Sequence, residues 1–234
     1  MIEVSRLTKV YGTQAALAGV SLTLPGSAVL TVLGPNGSGK TTLLRLLATL
    51  IRPTAGGARV GGYDLGADRH AVRRLIGLVG HGTHLYDDLS AAENLAFSRA
   101  LAGVPSDRGA LTAALARVGL EAHADTRVRE LSSGMRRRLA LARVMLGQPR
   151  ILLLDEPFAG LDQESMKRLE EHLHAFKAQG GSAIVVTHSL ARGFAVADRV
   201  AILVGGRLAA DEPRGALTQD ALQRLYLAAT EAGP

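Results

Sequence analysis

Short apolar runs alternate along the chain with longer segments in which apolar residues recur at helical spacing. The apolar runs that read as strands cover residues 28–33, 75–79, 151–154, 183–187 and 200–204. Strands that alternate with helices predict an α/β fold with a largely parallel sheet.

The amino-terminal segment has a different pattern. Apolar and polar side chains alternate over residues 2–4 and 20–24, and glycines punctuate residues 56–62. Alternation is typical of antiparallel strands with one solvated face. We therefore expect a small antiparallel sheet beside the main one.

The middle of the chain, about residues 85–147, is predicted to be helical, and a capping box of Ser90 and Glu93 opens its first helix. The predicted helices, in this block and after it, cover residues 90–102, 111–118, 134–146 and 163–179. No tandem repeat or low-complexity linker separates the block from its surroundings. We therefore expect an insertion within one domain, without a core of its own.

Composition narrows the functional classes. Hydrophobic residues make up 47% of the 234 residues, and no apolar run approaches the roughly 20 residues needed to span a bilayer. The start has no secretory pattern and the chain has no cysteine, which fits a cytosolic protein without disulfides. The net charge of +6 favours a solvated basic surface first and membrane proximity second. Aromatic residues, at 3%, are too sparse for a base-stacking platform, so we expect no nucleic-acid partner.

Residues 34–41 read Gly-Pro-Asn-Gly-Ser-Gly-Lys-Thr, a complete phosphate-binding loop between a predicted strand and a leucine-rich helix. Its glycines let backbone N–H groups face phosphate oxygens, and the helix points its positive end at the same anion. Lys40 can reach the β- and γ-phosphates of a nucleotide, and Thr41 can bind Mg²⁺. An ordinary glycine-rich turn is the less favoured alternative. The predicted nucleotide contacts here are Gly34, Pro35, Asn36, Gly37, Ser38, Gly39, Lys40, Thr41 and Thr42.

Two acids follow the predicted strand 151–154, namely Asp155 and Glu156. Ligands gather at the carboxyl ends of strands in open α/β sheets. Asp155 can hold Mg²⁺ through its water shell, and Glu156 is placed to accept a proton from an attacking water. The alternative is a buried strand that runs into a capped turn.

Together with these two motifs, further segments resemble the ATP-binding cassette ATPases, in the family's order and over essentially the whole chain. Residues 131–135, Leu-Ser-Ser-Gly-Met, stand where the family has its signature loop, usually Leu-Ser-Gly-Gly-Gln. His188 matches the family's switch histidine, and residues 159–162 match its D-loop. Tyr11 and the glycine after it match the aromatic loop that stacks on adenine.

The resemblance implies a P-loop NTPase (RecA-like) core with a mostly parallel sheet, an N-terminal antiparallel β subdomain and an inserted α-helical subdomain. It implies one ATPase domain over residues 1–234. The nucleotide-binding core would comprise residues 1–84 and 148–234, and the helical subdomain about 85–147.

The resemblance also implies a reaction that one copy cannot complete. Two copies would pair head to tail, with each Mg²⁺-ATP between the phosphate loop of one and the signature loop of the other. Ser132 and Gly134 would then face the γ-phosphate held by the partner copy, and Asp162 of the D-loop would lie near the nucleotide. Lys40 would stabilise transition-state charge, and His188 would hydrogen-bond the γ-phosphate.

The sequence departs from the family pattern in two places. His81 stands where the family usually has glutamine, and we expect it to contact the nucleotide site or a metal-bound water in a pH-sensitive way. The alternative is a loop histidine without that contact. Ser133 and Met135 replace a signature glycine and glutamine, which puts one side-chain contact in doubt. Of the three arginines at residues 136–138, we expect one near phosphate and two in solvent.

The loop over residues 80–95 resembles that of the ATP-binding subunits of haem exporters in cytochrome c biogenesis. This implies export across the membrane, with the chain docked on integral membrane permease subunits at the cytoplasmic face through residues 81–93. Drug and polysaccharide exporters have similar loops and stay an alternative. A non-transport member of the superfamily would need a long coiled coil, zinc cysteines or a second cassette. A P-loop GTPase would need an Asn-Lys-x-Asp motif, which the sequence lacks.

Overall fold

The computed structural model describes residues 1–80, 82–105 and 107–231. The strands are β1 (Ile2–Tyr11), β2 (Gln14–Leu24), β3 (Val29–Leu33), β4 (Ala55–Val60), β5 (Tyr63–Asp64), β6 (Ile76–Val79), β7 (Ile151–Asp155), β8 (Ser182–Thr187), β9 (Arg199–Val204) and β10 (Arg207–Pro213). The helices are α1 (Lys40–Leu47), α2 (Arg69–Leu75), α3 (Ala91–Leu101), α4 (Arg108–Arg117), α5 (Ser133–Met145), α6 (Gln163–Ala178), α7 (Leu190–Val196) and α8 (Gln219–Glu231). Within these residues the strands form a four-stranded and a six-stranded sheet.

The six-stranded sheet has the order β10-β9-β3-β8-β7-β6, and its neighbouring strands are parallel except for β9 and β10. Leu33 at the end of β3 pairs with Thr187, and Asp155 at the end of β7 pairs with Val186. The carboxyl ends of β3, β8 and β7 therefore lie side by side. The loops that follow these strands meet at one edge, where ligands bind in open α/β sheets.

Strand β7 shows why the parallel strands are continuous apolar runs. Ile151 and Leu153 pack into the hydrophobic cluster that α1 and the small sheet share. Leu152 and Leu154 point to the other face and pack beneath α5 and α6. Because both faces are covered, every position of the strand is buried and apolar residues are favoured throughout.

The four-stranded sheet has the order β2-β1-β4-β5 and is antiparallel, as the alternating pattern predicts. Ile2 pairs with Leu24 on one side and with Val60 on the other, and all three side chains are buried. They share a cluster with Leu43 and Leu47 of α1. The small sheet therefore packs on the helix that follows the phosphate loop.

The helices α3, α4 and α5 form the predicted helical block. Its first helix begins with the expected capping box, in which Ser90 Oγ accepts from the Glu93 N–H at 3.1 Å and Glu93 accepts from the Ser90 N–H at 2.7 Å. The expectation that the block lacks its own core is wrong. Its helices are amphipathic and face one another, and they bury a separate cluster that includes Leu95, Leu115 and Leu139.

The α/β fold class is confirmed, and the structure adds elements beyond those predicted from the sequence. Helices α2 and α7 have seven residues each, too few to show a helical period clearly. Within the described residues, strand β10 pairs with β9 alone and is partly exposed, so it has no apolar run. Helix α8 does have apolar residues at helical spacing, so the sequence carries a signal for it. In the described part of the chain, no helix combines the length and apolarity that crossing a membrane requires.

Candidate functional site

A cleft of about 590 Å³ opens at the carboxyl ends of β3 and β7. Its volume lies in the range of about 300–1,000 Å³ that is common for small-molecule sites. The residues that line it are Ala16, Asn36, Gly37, Ser38, Gly39, Lys40, Thr41, Thr42, Asp155, Glu156, Ala159 and His188. The fold therefore brings the phosphate loop, both acids and the strand-end histidine to one place.

At two positions of the phosphate loop, the backbone leaves room only for glycine. Gly39 has φ 101°, and a Cβ there would lie 2.3 Å from the carbonyl oxygen of Ala16. At Gly34 a Cβ would lie 2.1 Å from the carbonyl oxygen of Leu203. Gly39 also gives α1 no side-chain cap, so the first N–H groups of the helix stay available at the cleft. This geometry suits phosphate oxygens.

Lys40 lies at the base of the loop with only 7% of its surface exposed. Its Nζ donates to the carbonyl oxygens of Gly34 at 2.7 Å and Pro35 at 2.8 Å. Burial lowers the pKa of Lys40, and the nearby charges of Glu156 and Asp155 oppose that shift. An anionic ligand would add to this opposing effect, because a negative charge nearby favours the ammonium form.

A second feature of the loop also fits phosphate. Ser38 Oγ is buried and has no hydrogen-bond partner among the described residues. A buried hydroxyl without a partner is unfavourable, and a phosphate oxygen would satisfy it.

Thr41 and Asp155 are joined by a hydrogen bond, in which Thr41 Oγ1 donates to Asp155 Oδ2 at 2.9 Å. Asp155 is buried, with 4% of its surface exposed. A hydroxyl beside a carboxylate offers the hard oxygen ligands that Mg²⁺ prefers. Among the described residues no group of three or more His, Asp or Glu side chains could enclose an ion. The pair therefore fits a magnesium ion whose remaining ligands are phosphate oxygens and water.

Glu156 accepts three hydrogen bonds through its carboxylate. Its Oε2 accepts from Thr187 Oγ1 at 2.9 Å, and its Oε1 accepts from the His188 N–H at 2.9 Å and lies 2.8 Å from His188 Nδ1. The Glu156 side chain is 16% exposed, whereas that of His188 is 67% exposed. The acid is thus held firmly beneath a histidine that reaches the solvent side of the cleft.

Three further predicted residues lie at helix starts rather than in this cleft. Ser132 caps α5 and accepts from the Met135 N–H at 3.2 Å, and a Cβ added at Gly134 would lie 3.5 Å from the Gly160 carbonyl oxygen. Asp162 caps α6 and accepts from the Ser165 N–H at 2.7 Å. The described lining of the cleft includes none of the three. Their predicted contact with nucleotide would therefore have to be made to a different copy.

The predicted nucleotide contacts of Tyr11 and His81 are not among the described residues that line the cleft. Tyr11 lies at the turn between β1 and β2 and is exposed, with its ring centre 5.1 Å from Lys9 Nζ. Ala16 of the same hairpin does line the cleft. His81 lies outside the described residues, so its predicted role stays a sequence-based prediction.

Sequence reasoning missed the role of the arginines in α5. Arg136 donates to the carbonyl oxygens of residues 129 and 131, and Arg138 donates to those of residues 118 and 119. Arg137 donates to those of residues 156 and 159. The expectation that two of the three are solvated is wrong, because each is partly buried and bound to backbone. Backbone carbonyl acceptors exist at every position, so no sequence signal marks such contacts.

The sequence is similar to that of known transporter proteins. The family model described as ABC transporter matches residues 17–159. The cytochrome c biogenesis ATP-binding export protein CcmA of Pseudomonas putida GB-1 is 46% identical over 160 residues, which is 68% of this chain and 76% of that protein. The daunorubicin/doxorubicin resistance ATP-binding protein DrrA of Streptomyces peucetius is 37% identical over 218 residues, which is 92% of this chain and 66% of that protein.

The fold is similar to solved structures. One is a dimeric ATP-binding cassette, MJ0796, in a post-hydrolysis state bound to ADP and Pi, with a TM-score of 0.84 and 26% identity. That match covers 92% of this chain and 99% of the other. An ATP-binding subunit of an ABC transporter matches with a TM-score of 0.88 and 26% identity, over 98% of this chain and 99% of the other.

Proposed function

Because the chain belongs to the ABC transporter family and is an ATP-hydrolysing transporter subunit, we propose that it powers export of haem or a haem-related substrate for cytochrome c maturation. The residues that perform hydrolysis are part of this proposal. The observation that supports them is the convergence of Lys40, Thr41, Asp155, Glu156 and His188 on one cleft.

The arrangement suits attack of water on a γ-phosphate. Glu156 accepts the proton of the water as the new oxygen–phosphorus bond forms, and the bond to the β-phosphate oxygen breaks to release ADP. The three donors on its carboxylate still leave lone pairs for water, since an ionised carboxylate has about four acceptor positions. Lys40 and the first N–H groups of α1 stabilise the charge that develops on the phosphate oxygens.

Thr41 and Asp155 would hold Mg²⁺, which when bound neutralises charge on the phosphates. His188 projects from the acid toward solvent, where its ring can hydrogen-bond a γ-phosphate. His81 stays a proposed contact to metal-bound water, and Tyr11 a proposed contact to the adenine base. Both rest on the resemblance alone.

A second copy would complete the site. The start of α5, with Ser132 as its cap and Gly134 in its first turn, offers N–H groups at a place that its own cleft does not reach. A tetra-anionic nucleotide held on one face leaves charge exposed, and a second helix start can neutralise it. The similar cassette MJ0796 is a dimer bound to ADP and Pi, which supports the same assembly for this chain.

The proposed transported substrate is inferred from the sequence similarity to CcmA and DrrA. The CcmA similarity is the stronger in identity, 46% against 37% for DrrA. The DrrA similarity covers more of this chain, 92% against 68%, which keeps drug export as the second candidate. In either case the chain would act with integral membrane permease subunits, as a peripheral protein at the cytoplasmic face of the membrane.

Deletion of the gene in its own host separates the two candidates. If the cargo serves cytochrome c maturation, c-type cytochromes that stain for covalently bound haem should disappear, and a plasmid copy should restore them. A plasmid copy with Lys40→Ala should fail to do so. Normal c-type cytochromes together with increased sensitivity to daunorubicin would overturn haem export and support drug export.

A further inference from the structure

We propose that Arg137 is a positioning residue that holds the backbone of Glu156 and so aims its carboxylate into the cleft. Arg137 belongs to α5, the helix that begins at the signature loop, so the same contact links that loop to the acid. The inference rests on the proposed role of Glu156 as the proton acceptor.

Arg137 binds the turn that follows β7 at two points. Its Nη1 donates to the carbonyl oxygen of Glu156 and, at 2.9 Å, to that of Ala159. The Glu156 carbonyl oxygen also accepts from the Ala159 N–H at 3.2 Å. One guanidinium nitrogen therefore closes the turn that carries the acid. Hydrogen bonds from a charged donor are the stronger kind, which suits this role.

The backbone of Glu156 is one that needs such support. It has φ 50°, in the left-handed region that residues with a side chain rarely adopt. Such a conformation persists only where the surroundings determine it. On one side of the residue, the Glu156 N–H donates to the Val186 carbonyl oxygen at 2.8 Å and so continues the sheet. On the other side, the carbonyl is held by Arg137.

The charge of Arg137 is also close to the reacting groups. Burial lowers the pKa of Arg137, and the charges of Glu156 and Asp155 oppose that shift. Burying a guanidinium is costly unless its donors are paired, and here the Glu156 and Ala159 carbonyl oxygens pair them while the carboxylate charges offset part of the cost. Its neighbours on α5 bind loops of the helical block instead.

The contact links the two surfaces that one copy would contribute to different shared sites, namely its acid at one site and its signature loop at the other. Arg137 follows the Ser132 cap by little more than one helical turn. The start of the same helix packs on the turn that Arg137 closes, since a Cβ at Gly134 would lie 3.5 Å from the Gly160 carbonyl oxygen. A movement of the signature loop toward a partner's nucleotide would therefore pull on the backbone of Glu156.

The test compares Arg137→Met with Arg138→Met, each made alone and together with Glu156→Gln. Arg138 is a matched control, because it lies on the same helix and donates to the carbonyl oxygens of Val118 and Gly119 at 2.8 and 3.2 Å, away from the cleft. Methionine keeps much of the apolar stem and removes the donors. For each protein, we would measure kcat and KM for ATP and the melting temperature. Where turnover is slow, single-turnover cleavage of ATP replaces kcat.

Arg137→Met should lower kcat by about tenfold to a hundredfold, since small misplacements of a catalytic group have effects of that size. KM should stay within about twofold, because binding to the phosphate loop is unaffected. In the Glu156→Gln background, Arg137→Met should have no further effect on cleavage, since the group that it positions is already gone. Arg137→Lys, which keeps a charged donor, should recover part of kcat. Arg138→Met should lower the melting temperature without lowering kcat.

Three outcomes would overturn the inference. The first is an unchanged kcat in Arg137→Met. The second is that Arg137→Met lowers the rate of ATP cleavage by the same factor in the Glu156→Gln background as in the wild-type background. The third is a loss of kcat in Arg138→Met as large as that in Arg137→Met. If Arg137→Met does not fold, Arg137→Lys and Arg137→Gln replace it in the same comparison. Normal turnover by Glu156→Gln alone is a separate result, which would refute the proposed role of Glu156 itself.

Discussion

His188 and Glu156 are joined twice, because the backbone N–H of His188 donates to Glu156 Oε1 at 2.9 Å and the ring Nδ1 of His188 lies 2.8 Å from the same oxygen. Thr187, the last residue of β8, holds the other carboxylate oxygen. The end of β8 thus fixes the side chain of Glu156, which directly follows the neighbouring strand β7. The histidine cannot turn toward a γ-phosphate without changing the hydrogen bonds of the acid. The two residues should therefore respond to bound ATP together.

Glu156→Gln should bind ATP and hardly hydrolyse it. The amide keeps the size of the side chain but cannot accept a proton, so kcat should fall by about a hundredfold to ten thousandfold, the usual contribution of a general base. Because ATP then persists between the two copies, the protein should elute as a dimer in ATP. Phosphate release and size-exclusion chromatography measure the two effects. Glu170→Gln is the control, since Glu170 is also partly buried and binds Arg192 at 3.4 Å away from the cleft. Wild-type turnover in Glu156→Gln would refute the role.

Lys40→Ala should remove most of the thermal stabilisation that ATP gives. A ligand at one hundred times its Kd stabilises the folded state by about 2.7 kcal/mol, which corresponds to roughly 5–11 °C in a chain of this size. The expected shift is near zero in Lys40→Ala, because the buried ammonium that would meet the phosphates is lost. Lys177→Ala, which breaks a pair with Asp198, should keep the full shift. An equal ATP-induced shift in Lys40→Ala and wild type would contradict the prediction.

Mixing two inactive variants should restore activity if each ATP lies between two copies. Lys40→Ala removes a phosphate contact, and Gly134→Asp places a like charge where the partner's phosphate would lie. Each homodimer then has two damaged sites, but a mixed dimer has one intact site and one with both changes. Half of the dimers in an equal mixture are mixed, so turnover should reach about one quarter of the wild-type value for a symmetric dimer. The absence of any recovery at all protein concentrations would exclude the shared site.

Asp162 should make a contribution to the free energy of unfolding that is lost at acidic pH. The backbone hydrogen bond from Ser165 is the main cause that lowers the pKa of Asp162, followed by the Ser165 hydroxyl. Its contribution is therefore present above the pKa of the unfolded chain, about 4 for Asp, and is lost as the pH falls through the lower pKa of the folded state. Denaturant midpoints at pH 7, 4 and 3 should fall less in Asp162→Asn than in wild type. Asp125→Asn, which changes an exposed carboxylate, should follow the wild type. Parallel curves for Asp162→Asn and wild type would count against the prediction.

The placement of Lys40, Asp155 and His188 in one cleft could be predicted from sequence for a physical reason. Each lies at or after the carboxyl end of a buried parallel strand, and the carboxyl ends of such strands must meet at one edge. The contact of Arg137 with Glu156 could not be predicted, because it joins a side chain to a backbone carbonyl across 19 residues. The left-handed backbone of Glu156 was equally hidden, since glutamate has no preference for it.

The arginines of α5 also affect how the protein unfolds. Arg137 binds the turn after β7, and Arg143, near the other end of the helix, donates to the carbonyl oxygens of residues 83 and 84. A helix anchored at both ends to loops next to the central sheet cannot melt alone without losing those bonds. Its amide protons should therefore exchange with deuterium about as slowly as those of β7, as members of one cooperative unfolding unit.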